Sequence, residues 1–177
     1  MRRKFQRGAA TVEMTLVGIP LIFTLISIFE ISRGMWMYHT MVYAVKEGVR
    51  FASVHGLDCV NNPPTVLNNC SQSQAAIAEV IQQAGVGLST TATTLTFCAP
   101  AANPGNLCAT GSTTCALNAC SAAGYWPPIN FNGIGQTIEI DIKTPFRSAL
   151  AMFWPGAHRV SFAETQLIAS SSAQIQF

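Results

Sequence analysis

The chain has 177 residues, of which 49% are hydrophobic and only 10% are charged, and its formal net charge is +2. This length accommodates one membrane segment and one compact domain, and the apolar fraction is high for a soluble protein and low for a polytopic one. Four of the ten basic residues lie within residues 1–8, so the rest of the chain has six basic against eight acidic residues and no basic patch that would favour nucleic-acid binding.

The N-terminus combines a basic leader with an apolar segment of membrane length. The leader ends at Gly8, and the 21 residues of Ala9–Phe29 contain a single charge, at Glu13. That length spans about 30 Å of hydrocarbon as a helix. The basic leader is expected to stay in the cytoplasm, which places the remainder outside. Its four basic residues are Arg2, Arg3, Lys4 and Arg7.

Two other interpretations of this segment fit less well. A secretory signal peptide also has a basic and an apolar region, but Phe29 is followed by Glu30, Ile31, Ser32 and Arg33 and by no small-x-small cleavage site. A buried helix of a soluble core is disfavoured by the basic leader and by the length. The sequence therefore predicts a membrane helix.

The helical pattern continues past the membrane edge. Trp36, Tyr38 and Tyr43 stand where aromatic residues anchor at the headgroup level. Apolar and small residues then recur at steps of three and four, which predicts one helix from about Ala9 to about Ser53 that leaves the bilayer and supports a domain. These residues are Met37, Met41, Ala44, Val45, Gly48 and Ala52.

Two features interrupt the apolar pattern of this helix. Pro20, preceded by Gly18, predicts a kink within the membrane. Glu30 and Arg33 lie three residues apart, so they either pair at the opposite membrane interface or remain two solvated helix-end charges.

A second helix and several strands are predicted beyond Gly56, which is expected to end the first helix. The second helix covers Gln72–Ala84, with a capping box of Ser71 and Gln74 at its start and Gly85 at its end. Threonine-rich Thr91–Phe97 predicts a strand.

The C-terminal part of the chain predicts two more strands. Thr137–Lys143 alternates isoleucine with charged residues, which is typical of a half-buried antiparallel strand. A short apolar helix is expected over Arg147–Phe153, and a last strand from near Arg159 to about Ala169. The predicted fold is α+β: a long N-terminal membrane-spanning helix that continues into a small domain with a second helix and an antiparallel sheet.

Six cysteines follow the membrane segment, and an even number in an exported domain indicates disulfides. Fifteen pairings are possible; sequential pairing is preferred because each pair brackets a turn-rich loop. A zinc site is the competing interpretation, but the sequence has no C-x-x-C step and only His55 lies near a cysteine. Residues 99–135 are accordingly expected to form a disulfide-stapled loop. The preferred pairs are Cys59–Cys70, Cys98–Cys108 and Cys115–Cys120.

The predicted organisation has three parts. Residues 1–8 are the leader, 9–55 the transmembrane helix and its stalk, and 56–177 an α+β domain with a cysteine-rich loop at 98–120. Among the histidines, His39, His55 and His158 have no acid or nucleophile at a spacing that forms a catalytic motif, and no phosphate-binding loop follows a strand. No catalytic residue, cofactor or metal is predicted, and the chain is not expected to be an enzyme.

The segments RGAATVEMTLVGIPLIF, FEISRG and AVKEGVRFAS resemble the TadE-like family, the pseudopilins of the tight-adherence (Tad/Flp, type IVc) pilus system. That family has a glycine at the end of a basic leader, an acid at mature position five, a proline within the apolar helix and a glutamate near its far end. Gly8, Glu13, Pro20 and Glu30 match these features. An aromatic residue usually follows the acid, and Met14 stands there in this chain. The resemblance covers about the first third of the sequence.

The resemblance implies that an aspartyl prepilin peptidase cuts after Gly8 and leaves Ala9 as the new N-terminus. It also assigns Glu13, with its neighbour Met14, to filament assembly, where the glutamate pairs with the N-terminal ammonium of a neighbouring subunit and sets the axial register. The alternative for Glu13 is a carboxylate that reaches toward water at the membrane surface.

The expected function is that of a minor pilin or pseudopilin that initiates, caps or regulates a thin adhesive filament. The expected partners are a prepilin peptidase, the major pilin and other minor pilins, the inner-membrane assembly platform and membrane lipid, with no nucleic acid. The protein would be a single-pass protein of the bacterial inner membrane with its domain in the periplasm. One alternative is a membrane-anchored periplasmic binding domain outside any filament; an exported enzyme is a third class, for which the sequence names no substrate.

Overall fold

The structure, a computed structural model, describes residues 6–56, 71–98, 112–148 and 164–176. Within these residues the chain forms helices α1 (Gln6–Ser53) and α2 (Gln74–Ala84) and a short 3-10 helix at Ile129–Phe131. The strands are β1 (Gln72–Ser73), β2 (Thr94–Cys98), β3 (Thr113–Ala116), β4 (Tyr125–Trp126), β5 (Thr137–Arg147) and β6 (Glu164–Gln174). The predicted α+β class is confirmed.

Helix α1 is continuous over 48 residues, as the sequence predicts. At 1.5 Å per residue it is about 72 Å long. It begins at Gln6, three residues before the predicted start, and ends at Ser53, three residues before Gly56. Pro20 lies inside the helix without ending it, and the kink expected there stays a prediction.

Helix α2 begins two residues later than predicted, and its cap differs. Ser73, not Ser71, is the N-cap residue: its hydroxyl accepts a hydrogen bond from the backbone N–H of Ala76 at 3.1 Å. The capping box was wrong because Gln72 and Ser73 pair with β4 as a short antiparallel strand, which keeps their backbone extended. Gly85 ends the helix as expected, with its N–H donated to the carbonyl of Ile81.

The main sheet has four strands in the order β3-β2-β5-β6. Strand β2 is antiparallel to both β3 and β5. Leu95 lies opposite Ile142 and Phe97 opposite Ile140, so the apolar residues of the two central strands share one face of the sheet. This face is fully buried, as the alternation in β5 predicts.

Several strand boundaries differ from the predicted ones. β2 starts at Thr94 because residues 91–92 form a turn, and β5 continues to Arg147, where a helix was expected to begin. Ser148 is not helical, and residues 149–153 of that predicted helix and 159–163 of the predicted last strand lie outside the described residues. β6 extends five residues beyond Ala169. Residues 112–135, expected to be loop, contain β3, β4 and the 3-10 helix.

The chain divides into two compact units, residues 1–36 with 147–164 and residues 37–146 with 165–177. The second unit has a core built from the C-terminal part of α1, from α2 and from the inner face of the sheet. Its residues from α1 are Met41, Ala44, Val45, Val49 and Ala52. Gly48 lies against α2, where a Cβ atom would stand 2.4 Å from Cγ1 of Ile81. The helices therefore touch at a position where any larger residue would force the side chain of Ile81 to shift.

Candidate membrane and assembly segment

The N-terminal part of α1 presents apolar side chains outward along its length. Large hydrophobic residues between Val12 and Trp36 are mostly more than half exposed, with Met14 at 74% and Phe29 at 75%. Among the described residues, α1 is the one helix long and apolar enough to cross a membrane. An exposed apolar surface of this extent favours contact with lipid or with other apolar helices over contact with water.

The hydroxyl groups of this segment hydrogen-bond back to their own helix. Thr24 donates to the carbonyl of Pro20 at 2.8 Å, Ser27 to that of Phe23 at 2.8 Å and Ser32 to that of Ile28 at 2.9 Å. Such bonds satisfy a polar side chain where no water is present. These serines and threonines therefore do not oppose insertion into a bilayer.

Glu13 lies on the exposed apolar surface, one helical turn after Ala9. Its neighbours Val12 and Met14 are 64% and 74% exposed. Within the described parts of the chain, Glu13 forms no ion pair; the ion pair that is present joins Arg33 and Glu30. Gly8 lies within α1, two residues after its first described residue. The cleavage site and the register role both stay predictions.

The structure pairs Glu30 with Arg33, which the sequence left open. Their charged atoms are 3.9 Å apart, and the side chain of Glu30 is 11% exposed against 45% for Arg33. Arg33 also donates a hydrogen bond to the backbone carbonyl of Arg147 at the end of β5. The sequence does not indicate this contact, because the two residues are 114 positions apart and a backbone acceptor carries no residue signature. Glu30 and Arg33 therefore link α1 to the end of β5 within the first compact unit.

Aromatic residues expected at the membrane interface have exposed rings. Trp36 and Tyr43 are each 56% exposed and Tyr38 is 43% exposed. The ring of Tyr38 packs edge-on against His39. Their exposure is compatible with anchoring at the headgroup level, and that role stays a prediction.

The stripe from Met41 to Ala52 is occupied by the protein's own domain. Met41, Ala44, Val45 and Ala52 are fully buried against α2 and the sheet. The apolar face of this part of α1 is thus unavailable to other helices while the domain is folded, whereas the opposite face, which includes Tyr43, is exposed. The sequence predicted that the stripe supports a domain, but it did not indicate how much of the helix the domain encloses.

One of the three preferred disulfides is present among the described residues. Cys115 and Cys120 are bonded, with their Cα atoms 5.0 Å apart. Cys98 is also disulfide-bonded. Cys59, Cys70 and Cys108 lie outside the described residues, and so do the two pairings that contain them.

The sequence assigns no catalytic role to His55 or His158. His55 is held by a 2.6 Å contact between its Nδ1 and the backbone carbonyl of Phe51 and by packing of its ring on the phenyl ring of Phe51. His158 lies outside the described residues.

Two carboxylates stand side by side on the outer face of β5. Burial, together with the charge of Asp141, raises the pKa of Glu139; burial also raises the pKa of Asp141, and Lys143 opposes this shift. Within the described residues, no group of three or more histidine, cysteine, aspartate or glutamate side chains is arranged to hold a metal. The carboxylates of Glu139 and Asp141 therefore repel each other on the sheet surface.

Comparison with known proteins gives one match. A family model described as TadE-like protein matches residues 8–50, about a quarter of the chain. No curated protein and no solved structure matches the chain. The matched residues contain the exposed apolar segment, Glu13, Pro20 and the Glu30–Arg33 pair, and they suggest a Tad pilus-associated, single-pass membrane protein. The chain therefore carries a TadE-like domain at residues 8–50, which confirms the family resemblance of its N-terminal motifs.

Proposed function

We propose that this protein is a minor pilin or pseudopilin of a Tad/Flp-type adhesive pilus and that it acts by packing its N-terminal helix against the helices of other pilins. The observation that carries the proposal is the coincidence of the TadE-like match at residues 8–50 with the exposed apolar part of α1. A plain membrane anchor needs only length and hydrophobicity. It does not need a carboxylate one turn inside its apolar surface.

Glu13 supplies the physical argument for assembly. A carboxylate near the end of a membrane helix is expensive, with about 2.5–3.5 kcal/mol as the cost at the helix centre on insertion scales. Glu13 has no ionic partner among the described residues. After cleavage behind Gly8, the ammonium of Ala9 in a neighbouring subunit would neutralise the carboxylate at a fixed axial offset. A buried ion pair of this kind specifies register more than it adds stability.

The proposed life cycle follows from the charges at the ends of the segment. The basic leader keeps the N-terminus in the cytoplasm, so the domain lies in the periplasm of a bacterium and the helix in the inner membrane. A prepilin peptidase removes residues 1–8 there. The processed chain then associates through residues 9–40 with the assembly platform, the major pilin and other minor pilins. It has no enzymatic role and needs no cofactor.

Mass spectrometry of the mature protein tests the processing step. The expected N-terminus is Ala9, and Gly8→Leu should block cleavage because a side chain at that position obstructs the peptidase. Gly18→Leu is the matched control, since it adds the same side chain to the same helix where nothing lies within 4 Å of the added Cβ. A mature protein that retains Met1 or Arg2 in producing cells would refute the proposal and favour a membrane-anchored binding domain.

The role of Glu13 is tested separately by counting pili on cells that carry only a variant protein. Glu13→Gln keeps the size of the side chain and removes its charge, and it should be processed and inserted yet support few or no pili. Glu13→Asp keeps the charge and should retain part of the wild-type number. Normal piliation with Glu13→Gln would exclude the register role.

A further inference from the structure

Strand β6 is the outer strand of the main sheet as far as the described residues extend. It is long, with 11 residues, whereas β3 at the other edge has four. After the charged Glu164 at its start, the strand and the two residues that follow it, as far as Gln176, contain no charged residue, no proline and no glycine. Natural proteins protect exposed sheet edges with short strands, charges, proline or bulges. β3 is protected because it is short, and β6 beyond Glu164 has none of these protections in its sequence.

The hydrogen bonds at the end of β6 define which residues point outward. Ile175 exchanges bonds with the residues that precede β5: its N–H donates to the carbonyl of Gln136, and its carbonyl accepts from Gly135. Gln176 instead points away from β5 and donates to the carbonyl of Ser53. Since the two directions alternate along a strand, the even-numbered residues have outward backbone groups. Ser53 occupies the edge at Gln176, so the outward residues left within β6 are 164, 166, 168, 170, 172 and 174.

The sequence of β6 is nearly symmetric about Ser171. Counting outward in both directions, Ser170 matches Ser172, Ala169 matches Ala173 and Leu167 corresponds to Ile175, while Ile168 faces Gln174 as the one unlike pair. A twofold axis at Ser171 would place each residue opposite its counterpart in an antiparallel second strand. All outward-facing residues then meet outward-facing residues, and no two like charges face each other.

We propose that the β6 edge is a docking surface for β6 of a second copy of this chain, paired antiparallel about Ser171. Four hydrogen-bonded pairs form, each exchanging two N–H···O bonds, over residues 168–174 of both copies. The core-facing residues Ala169, Ser171 and Ala173 continue from one sheet into the other. The exposed side chains at the junction are small, because Ser170 and Ser172 lie at its centre. The inference is independent of the pilus function.

The pairing is expected to be weak in dilute solution and significant where copies are concentrated. Edge pairing over seven residues buries less than the roughly 1,200 Å² of a standard stable interface. Chains held in one membrane or one filament have a high effective concentration, which converts a weak contact into a populated one. The partner is a second copy because the symmetry of the strand and the absence of charge both favour self-pairing.

The register is tested by the charge pattern at the two central serines. The full chain, with disulfides intact, is studied in detergent micelles by sedimentation equilibrium at increasing protein-to-detergent ratio, where the wild type is expected to form dimers. Ser170→Lys with Ser172→Lys places lysine opposite lysine twice and should lower the association constant about tenfold. Ser170→Glu with Ser172→Lys places glutamate opposite lysine and should restore it to at least the wild-type value.

A proline pair controls for indirect effects. Ser172→Pro removes an outward N–H within the paired region and should weaken the dimer; Gln166→Pro removes an outward N–H outside it and should not. Both positions face away from β5, so neither change breaks the sheet. A wild type that stays monomeric, or a dimer that both charge patterns affect equally, would overturn the proposal. So would equal effects of the two prolines.

Discussion

Replacement of Gly48 by alanine tests whether the contact of α1 with α2 is as close as the structure has it. A Cβ at this position would lie 2.4 Å from Cγ1 and 2.7 Å from Cδ1 of Ile81, and 3.7 Å from Cγ2 of Ile77. Both isoleucines are fully buried, so a side chain that moves away from the added Cβ must displace other residues of a close-packed core. Overpacking costs about 1–3 kcal/mol, and the contact is short enough to place Gly48→Ala near the upper end. Alanine regains about 1 kcal/mol of helix propensity. The net expectation is a loss of about 2 kcal/mol.

The measurement is urea unfolding of the oxidised full chain in detergent, followed by near-ultraviolet circular dichroism, which reports the packed domain. Gly18→Ala is the matched control, because it makes the same change in the same helix with nothing within 4 Å of the added Cβ. It should leave the domain's free energy of unfolding unchanged. Ile81→Ala removes both clashing atoms, so Gly48→Ala should cost less in that background. A Gly48→Ala protein as stable as wild type would refute the close packing.

Three further predictions concern the domain. Removal of the Cys115–Cys120 disulfide by Cys115→Ser with Cys120→Ser should cost about 2 kcal/mol in unfolding free energy, the entropy expected for so short a loop, and reductant should reproduce the loss. Asp141→Asn should stabilise the domain by up to about 0.5 kcal/mol at pH 7 and have no effect at pH 3. Burial raises the pKa of this carboxyl in the folded state. The contribution of Asp141 to the free energy of unfolding is therefore most favourable below the unfolded pKa near 4, and it is lost as the pH rises through the folded pKa. Thermal melts over this pH range measure it. Gln74→Ala should cost about 1 kcal/mol, since the buried amide of Gln74 donates to Thr113 at 2.7 Å, and chemical denaturation measures this loss.

The parts of the fold that the sequence predicts well are those with a strong local period. Helix α1 and the alternating core of β5 repeat one pattern over many residues, so their existence and type followed from the sequence. Gly85 was predicted as the end of α2 for a similarly local reason, since glycine at that place ends a helix. Boundaries shifted by two to five residues where the period faded.

The parts that were missed depend on contacts between distant residues. Ser73 replaces Ser71 as the cap because β1 pairs with β4, which lies about 50 residues later. The bond from Arg33 to the carbonyl of Arg147 joins residues 114 positions apart. Nothing in a local window specifies either partner. The same holds for β3, because residues 99–135 around it are rich in glycine and alanine, a composition typical of a loop.

The division of α1 limits how the protein can enter a helix bundle. If the helix beyond Met41 were drawn into contact with other subunits, Met41, Val45 and Val49 would leave the core, and each buried side chain of this kind contributes about 1.5–3 kcal/mol. Together they amount to about 5–9 kcal/mol, which is comparable with the whole stability of a typical domain. Assembly that exposed them would unfold the domain. In the proposed assembly, contacts made through the apolar face of α1 would therefore be confined to the residues before Met41, where Glu13 is the one acidic residue without an ionic partner among those described.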